Sequence, residues 1–289
     1  MRQSESGFPV RQPTPRLIQP GGRHRRAVPA SLPEGSPALI LAVPAGSDEA
    51  LGSAGAAREI ATILSLDNPA LDVQLAKVSP GDLADLRHIL EDAAAKRPGA
   101  PAAVVIPLLA GPHPAVINAL NETITASGAD AFVAEIFNTN ALLAEALHIR
   151  LADAGLARAD RVRMFSITTS ADGIIVATVG GQEAVSSASV TAVLLAARLA
   201  LPVLPASLDS RPTIEEQAGR IQEMGVTRIA IAPCVIGPEA GTGVIEEAAS
   251  AVGAKCAAPL GAHGNVVKLI AQTYGMALNS MDPGPAEPS

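Results

Sequence analysis

The chain has 289 residues, 28 acidic against 21 basic side chains, a net charge of −7 and 48 % apolar residues. With no Trp, one Tyr and four Phe, its cores must be built from Ala, Val, Ile and Leu, and it offers no aromatic platform for stacked bases, so nucleic-acid binding is disfavoured by composition and charge alike. The apolar run 190–206 is broken by Arg198, Pro202 and Pro205 and falls short of the roughly 18–20 residues a membrane helix needs, so a soluble, cytoplasmic protein without a membrane partner is expected.

Residues 1–36 carry arginines at 2, 11, 16, 23, 25 and 26 among many Pro and Gly, with no hydrophobic periodicity, and are expected to be a disordered tail that is dispensable for folding. Arg25-Arg26 is followed by AVPASLPEGSPA, which is no apolar export segment. The organised chain begins with the apolar run 39–43, which has the length of a buried parallel strand and leads through glycine into a small-residue helix. Strand 73–78, helix 80–96, strand 102–109, helix 115–127 closed by Gly128, strand 131–137 and a helix from Asn138 to about 154 follow. Residues 155–172 join two halves, and VRMFSIT within them has the makings of an extra strand. The second half repeats the order: strand 174–179, helix 183–200, strand 202–207, helix 212–224, strand 228–236, helix 243–252, strand 254–260 and helix 264–276. DPGPAEPS ends the chain as a frayed tail.

The halves are internal copies. Gly46, Glu49, Ala50, Ser53 and Ala54 match Gly180, Glu183, Ala184, Ser187 and Ala188 at constant offset. Pro107-x-x-x-Gly111-Pro112 returns as Pro233-x-x-x-Gly237-Pro238, and Gly128-Ala129 as Gly253-Ala254. Alternating β and α in each copy predicts an α/β protein of two tandem flavodoxin-like domains, 37–154 and 173–280, each a four-stranded parallel sheet with helices on both faces. Such sheets gather ligands at the carboxyl ends of their strands, so a cleft lined by both sets of loops is expected.

Cys234 and Cys256 lie in apolar runs without C-x-x-C spacing and read as buried, reduced thiols. The loop GSDEALGSAG lacks both the Gly-Lys-Ser/Thr ending and G-x-G-x-x-G spacing, and Asp48-Glu49 at its helix start would repel a phosphate, so no nucleotide is expected. Those acids suit a helix N-terminus, where Ser47 and Asp48 stand at the cap. His113, framed by Pro112 and Pro114 after the third strand, has Glu239 as its counterpart in the repeat. Imidazole and carboxylate together suit a borderline divalent metal such as Co²⁺ or Fe²⁺. His263 in PLGAHGNVV occupies the loop after the eighth strand, open to substrate contact or helix capping, whereas His88 and His148 fall inside helices and His24 in the tail.

The duplicated halves, VIPLLAGPH (105–113) and AAPLGAHGNVVKLIAQTY (257–274) are similar to the sirohydrochlorin chelatases, over roughly residues 37–277. The resemblance implies two facing domains that insert Co²⁺ or Fe²⁺, as substrate, into sirohydrochlorin or a related tetrapyrrole in cobalamin or sirohaem biosynthesis. An active chelatase would use His113 and its repeat counterpart Glu239 as catalytic and metal-binding groups, with Asp48 or Glu49 as auxiliary ligands, and Gly46, Ser47, Gly180, Gly181 and His263 along the tetrapyrrole. Where the family has His-Gly-Ser-Arg after the first strand, this chain has Ala45-Gly46-Ser47-Asp48, and the His113 loop is about two residues shorter than the family's. The alternative is a catalytically impaired paralogue that binds metal or tetrapyrrole without turnover.

Overall fold

In a computed structural model of the chain, which describes residues 32, 35–44, 54–79, 81–135, 137, 139–158, 170–237 and 239–281, the apolar runs pair as parallel strands. The first sheet contains β1 (Ala38–Pro44), β2 (Val73–Val78), β3 (Ala103–Pro107) and β4 (Ala131–Val133) in the order β2-β1-β3-β4. Helices α1 (Ala54–Asp67), α2 (Ala84–Lys96), α3 (Pro114–Ser127) and α4 (Ala141–Asp153) follow these strands in turn. The second sheet repeats the pattern with β5 (Gly173–Thr178), β6 (Val203–Ser207), β7 (Ile229–Pro233) and β8 (Lys255–Cys256) in the order β6-β5-β7-β8. Its helices are α5 (Gly181–Leu199), α6 (Ile214–Glu223), α7 (Thr242–Ala251) and α8 (Gly264–Met281). The expected pair of four-stranded parallel α/β sheets is therefore present, in matching order.

The period of two along each central strand decides which helices lie where. Ile40 and Val105 point to Leu86 and Leu90 of α2 and Leu120 of α3, on the outer face of the first sheet. Leu39, Leu41, Val104 and Ile106 point the other way, into a core shared with Ile60 and Leu64 of α1 and Leu143 and Leu147 of α4. That core continues without a break through Ala188 and Leu195 of α5, Val266 and Ile270 of α8, and Ile174 and Val176 of β5. Ile175 of β5 turns outward to Ile214 and Ile221 of α6. The order of layers is thus α2 and α3, first sheet, the four helices α1, α4, α5 and α8, second sheet, then α6 and α7. The described residues of both halves form one compact unit, because their inner helices bury the same apolar surface.

Several boundaries differ from expectation for local reasons. β4 ends at Val133 and β8 at Cys256, each well short of the expected 137 and 260. Both are edge strands with one neighbour, and past β8 the chain binds β7's end through isolated bonds, Ala257 N–H to Ile231 O and Leu260 N–H to Val235 O, around Pro259, which has no N–H to give. Helix α2 starts at Ala84 instead of Pro80, because Ser79 and Asp82 exchange two backbone hydrogen bonds in a tight turn first. Gly128 closes α3 in the left-handed conformation, as its position predicted (φ 66°). Residues 1–31, 33–34 and 282–289 and VRMFSIT lie outside the described residues, but Leu32 packs against the shared core and the Ser36 carbonyl accepts from Arg97, so the end of the expected tail belongs to the folded unit. Among the described residues no helix is long and apolar enough to cross a membrane. Both cysteines are free, and burial pushes the Cys234 thiol up to about 12 and the Cys256 thiol to about 11, which keeps them protonated and unreactive.

Arg97, at the end of α2, donates to the Ser36 carbonyl at 3.0 Å and to Asp72 at 2.9 Å, tying the segments that enter β1 and β2. Burial opposes ionisation of Asp72, but hydrogen bonds from Arg97 and Gln74 and the Arg97 charge outweigh it and hold the carboxyl below its ordinary value. A depressed folded-state pKa contributes stability above the unfolded value of 3.8, and that contribution is lost as pH falls through the lower folded value. Asp72→Asn is therefore expected to lower the urea midpoint at pH 7, with a difference from wild type that shrinks below pH 3.8. A difference independent of pH would show that Asp72 acts by packing alone.

Candidate functional site

The carboxyl ends of β3, β4 and β5 meet across the two halves. His113 is carried there by the loop after β3, where it is the residue preceding α3, with φ −140° and ψ 85°. Pro114 opens the helix at a position whose missing N–H costs nothing, and the His113 carbonyl accepts from Val116 and Ile117, so the helix start is made by backbone. The imidazole makes no capping bond. Its Nδ1 is enclosed and has no hydrogen-bond partner among the described residues.

His113 lines a cavity of about 620 Å³ whose wall includes Ile117, Asn118 and Asn121 of α3, Glu135 after β4, and Glu183 from the first turn of α5. Glu135 and Glu183 are exposed at the rim, one from each half of the chain. No Lys or Arg is among the described residues lining this cavity. One imidazole, two carboxylates and two amides can attract a divalent cation and accept protons. Among the described residues, no three His, Cys, Asp or Glu side chains stand close enough to hold a metal ion together.

The loop after β5 closes the wall. Gly180, with φ 118°, passes so near the Pro112 carbonyl that a Cβ there would overlap the oxygen, and Gly111 approaches Thr178 and Ala184 from the other strand's loop. Gly180 precedes α5 without a side-chain cap of its own. The cap comes from Asp209, in the loop after β6, whose carboxylate accepts the Gly180 N–H at 3.0 Å, the Gly181 N–H at 3.2 Å and the Ser207 hydroxyl at 2.6 Å. Burial opposes ionisation of Asp209, yet these donors and the nearby His113 ring hold its carboxyl below the usual range.

Glu239, the repeat counterpart of His113, sits elsewhere. It does not line the cavity. Its Oε1 accepts the Ile236 N–H at 2.6 Å and, across the two halves, the Ala110 N–H at 3.2 Å, while Oε2 accepts the Gly237 N–H at 2.9 Å. Burial pushes its carboxyl up from the ordinary value against the pull of these donors. His263 is likewise turned to the backbone: its Nδ1 accepts from the Asn265 N–H at 3.1 Å at the start of α8, and burial together with Arg150 lowers its pKa. His148 binds the Arg158 carbonyl at 2.7 Å inside the protein. Gly46, Ser47 and Asp48 fall outside the described residues.

Of the described residues that the sequence offered as site candidates, His113 and its fallback Glu183 line the cavity, and Gly180 and Gly181 form the loop packed against Pro112. Two residues of this region escaped the sequence reading. Glu135 stood inside the expected strand 131–137 and is freed by the early end of β4. Asp209 carried one signal, its place just beyond a strand's carboxyl end.

No protein-family model matches the chain, and no curated protein matches it. Among solved structures it is similar to SirB from Bacillus subtilis with Fe³⁺, at 15 % identity and a TM-score of 0.60, over 84 % of this chain and 97 % of that one. It is similar to CbiX, the terminal enzyme for biosynthesis of siroheme in denitrifying bacteria, at 18 % identity and 0.58, over 83 % and 99 %. DR2241 from Deinococcus radiodurans, a multi-domain protein with structural similarity to chelatases and two additional novel domains, matches at 14 % and 0.54, over 83 % of this chain and 54 % of its own length. The chain therefore has the chelatase-like α/β fold of two four-stranded parallel sheets that its sequence resemblance implies.

Proposed function

We propose that the protein is a tetrapyrrole chelatase that inserts Co²⁺ or Fe²⁺ into sirohydrochlorin or a related macrocycle, with His113 at the reacting centre. The observation that carries this reading is that His113, whose enclosed Nδ1 has no hydrogen-bond partner among the described residues, lines a 620 Å³ cavity of the first half that Glu183 of the second half completes. Buried polar atoms are normally satisfied, so an unpartnered ring nitrogen on a residue that lines a cavity of ligand size supports a role for this imidazole beyond packing. Insertion exchanges two pyrrole protons for one M²⁺, and it needs a group that holds the ion loosely and a base that receives protons. An imidazole serves either need near neutral pH. Glu135 and Glu183 raise the local concentration of the cation and offer further proton acceptors at the rim. Asp48 remains a proposed auxiliary ligand by its place in the first loop alone, where the family has arginine.

The binding-only reading is favoured by one observation, the lack of a three-ligand cluster among the described residues. One experiment separates the two. Sirohydrochlorin and Co²⁺ or Fe²⁺ are mixed anaerobically with increasing protein, and the absorption change of metal insertion is followed. A rate proportional to protein is expected; a stoichiometric spectral change without turnover selects the binding-only paralogue, and no change at all removes the tetrapyrrole from both.

A further inference from the structure

Two carboxylates of the second half, Asp209 and Glu239, are spent on backbone N–H groups around the His113 loop, whereas a third, Glu183, lines the cavity with His113. Glu239 spans the halves directly, its Oε1 shared between Ile236 N–H and the Ala110 N–H three residues before His113. Asp209 reaches the same loop through one intermediate. It binds the N–H groups of Gly180 and Gly181, and Gly180 is the residue that abuts the Pro112 carbonyl immediately before His113. The same two bonds fix the first turn of α5, from which Glu183 enters the cavity. The loop that carries His113 is thus held at two points by the second half, while the second half's own counterpart of His113 has no carboxylate oxygen without a backbone donor.

We propose that Asp209 and Glu239 are positioning residues for His113, so that the duplicated chain builds one reacting centre, on the first half, and uses the second half to hold it. This rests on the reading of His113 given above. The competing account is plain: Asp209 caps a helix and Glu239 closes a loop, each for stability alone.

The test uses the full-length protein and the variants Asp209→Ala, Asp209→Asn, Glu239→Ala and Glu239→Gln. The kcat for Co²⁺ insertion is measured well below each variant's melting midpoint, so that loss of stability does not enter. Displacing a reacting group by about 1 Å costs up to roughly a hundredfold, so Asp209→Ala and Glu239→Ala are expected to lower kcat at least tenfold with KM little changed. Glu239→Gln retains the oxygen that Ala110 and Ile236 share and is expected to recover most of that loss; Asp209→Asn retains one acceptor and should fall between. A second readout needs no turnover: the Cε1–H signal of His113 in histidine-labelled, metal-free protein, assigned with His113→Ala, should move in both alanine variants while that of His88 stays in place. A lowered midpoint with unchanged kcat overturns the proposal. So does an unmoved His113 signal. Should the wild type show no insertion, the chelatase reading falls, and the ring signal by itself decides whether the two carboxylates position His113.

Discussion

His113→Ala is expected to abolish metal insertion, lowering kcat by a factor of about 10² to 10⁴, the range by which a positioned proton acceptor accelerates its reaction. The same variant should melt within a degree or two of wild type, as substitutions that touch neither core nor cap commonly do. The structure gives the reason for the separation. The imidazole makes no capping bond, its Nδ1 has no partner among the described residues, and the helix start depends on the His113 carbonyl, which alanine keeps. Removing an enclosed nitrogen without a partner withdraws a desolvation cost and breaks no hydrogen bond. Insertion at the wild-type rate in His113→Ala would take the residue out of the mechanism and direct attention to Glu135 and Glu183 on the same wall.

Gly180→Ala should damage both stability and rate, and its neighbour supplies the control. Gly180 and Gly181 both have positive φ, 118° and 74°, so alanine at either carries a backbone strain of about 1–3 kcal/mol. They differ in their surroundings. A Cβ on Gly181 meets nothing within 4 Å, whereas one on Gly180 overlaps the Pro112 carbonyl oxygen, backbone that can yield only by moving the His113 loop. The Gly181→Ala midpoint is expected to fall by a few degrees, on a scale of roughly 2–4 °C per kcal/mol for domains approaching this size. For Gly180→Ala a larger fall is expected, together with a loss of kcat that Gly181→Ala does not share. Equal midpoints for the two would mean that the loops after β3 and β5 can part without cost, and the closed wall of the cavity would lose its support.

How much of this was legible beforehand follows from the range of the forces involved. The strands at 38–44, 73–78 and 173–178 could be read to within a residue or so because each is a run of apolar residues bounded by turn formers, a local property. Gly128 and the repeat offset are likewise local signals, and they sufficed for two four-stranded parallel α/β sheets, while the strand order came from the tertiary structure. His113 was legible as a candidate because proline, glycine and a strand end frame it in sequence. The fates of Glu239 and His263 were not legible, since a carboxylate or imidazole in a loop reads the same whether it meets a ligand or a backbone N–H. Only the fold brought Ala110 to Glu239 across 129 positions, and Asp209 to Gly180 across 29. The sequence by itself determined the elements and their duplication, because periodicity and turn chemistry act over a few residues. The tertiary structure decided which half carries the cavity, because that depends on which donors each acidic side chain meets when two sheets close on one shared core.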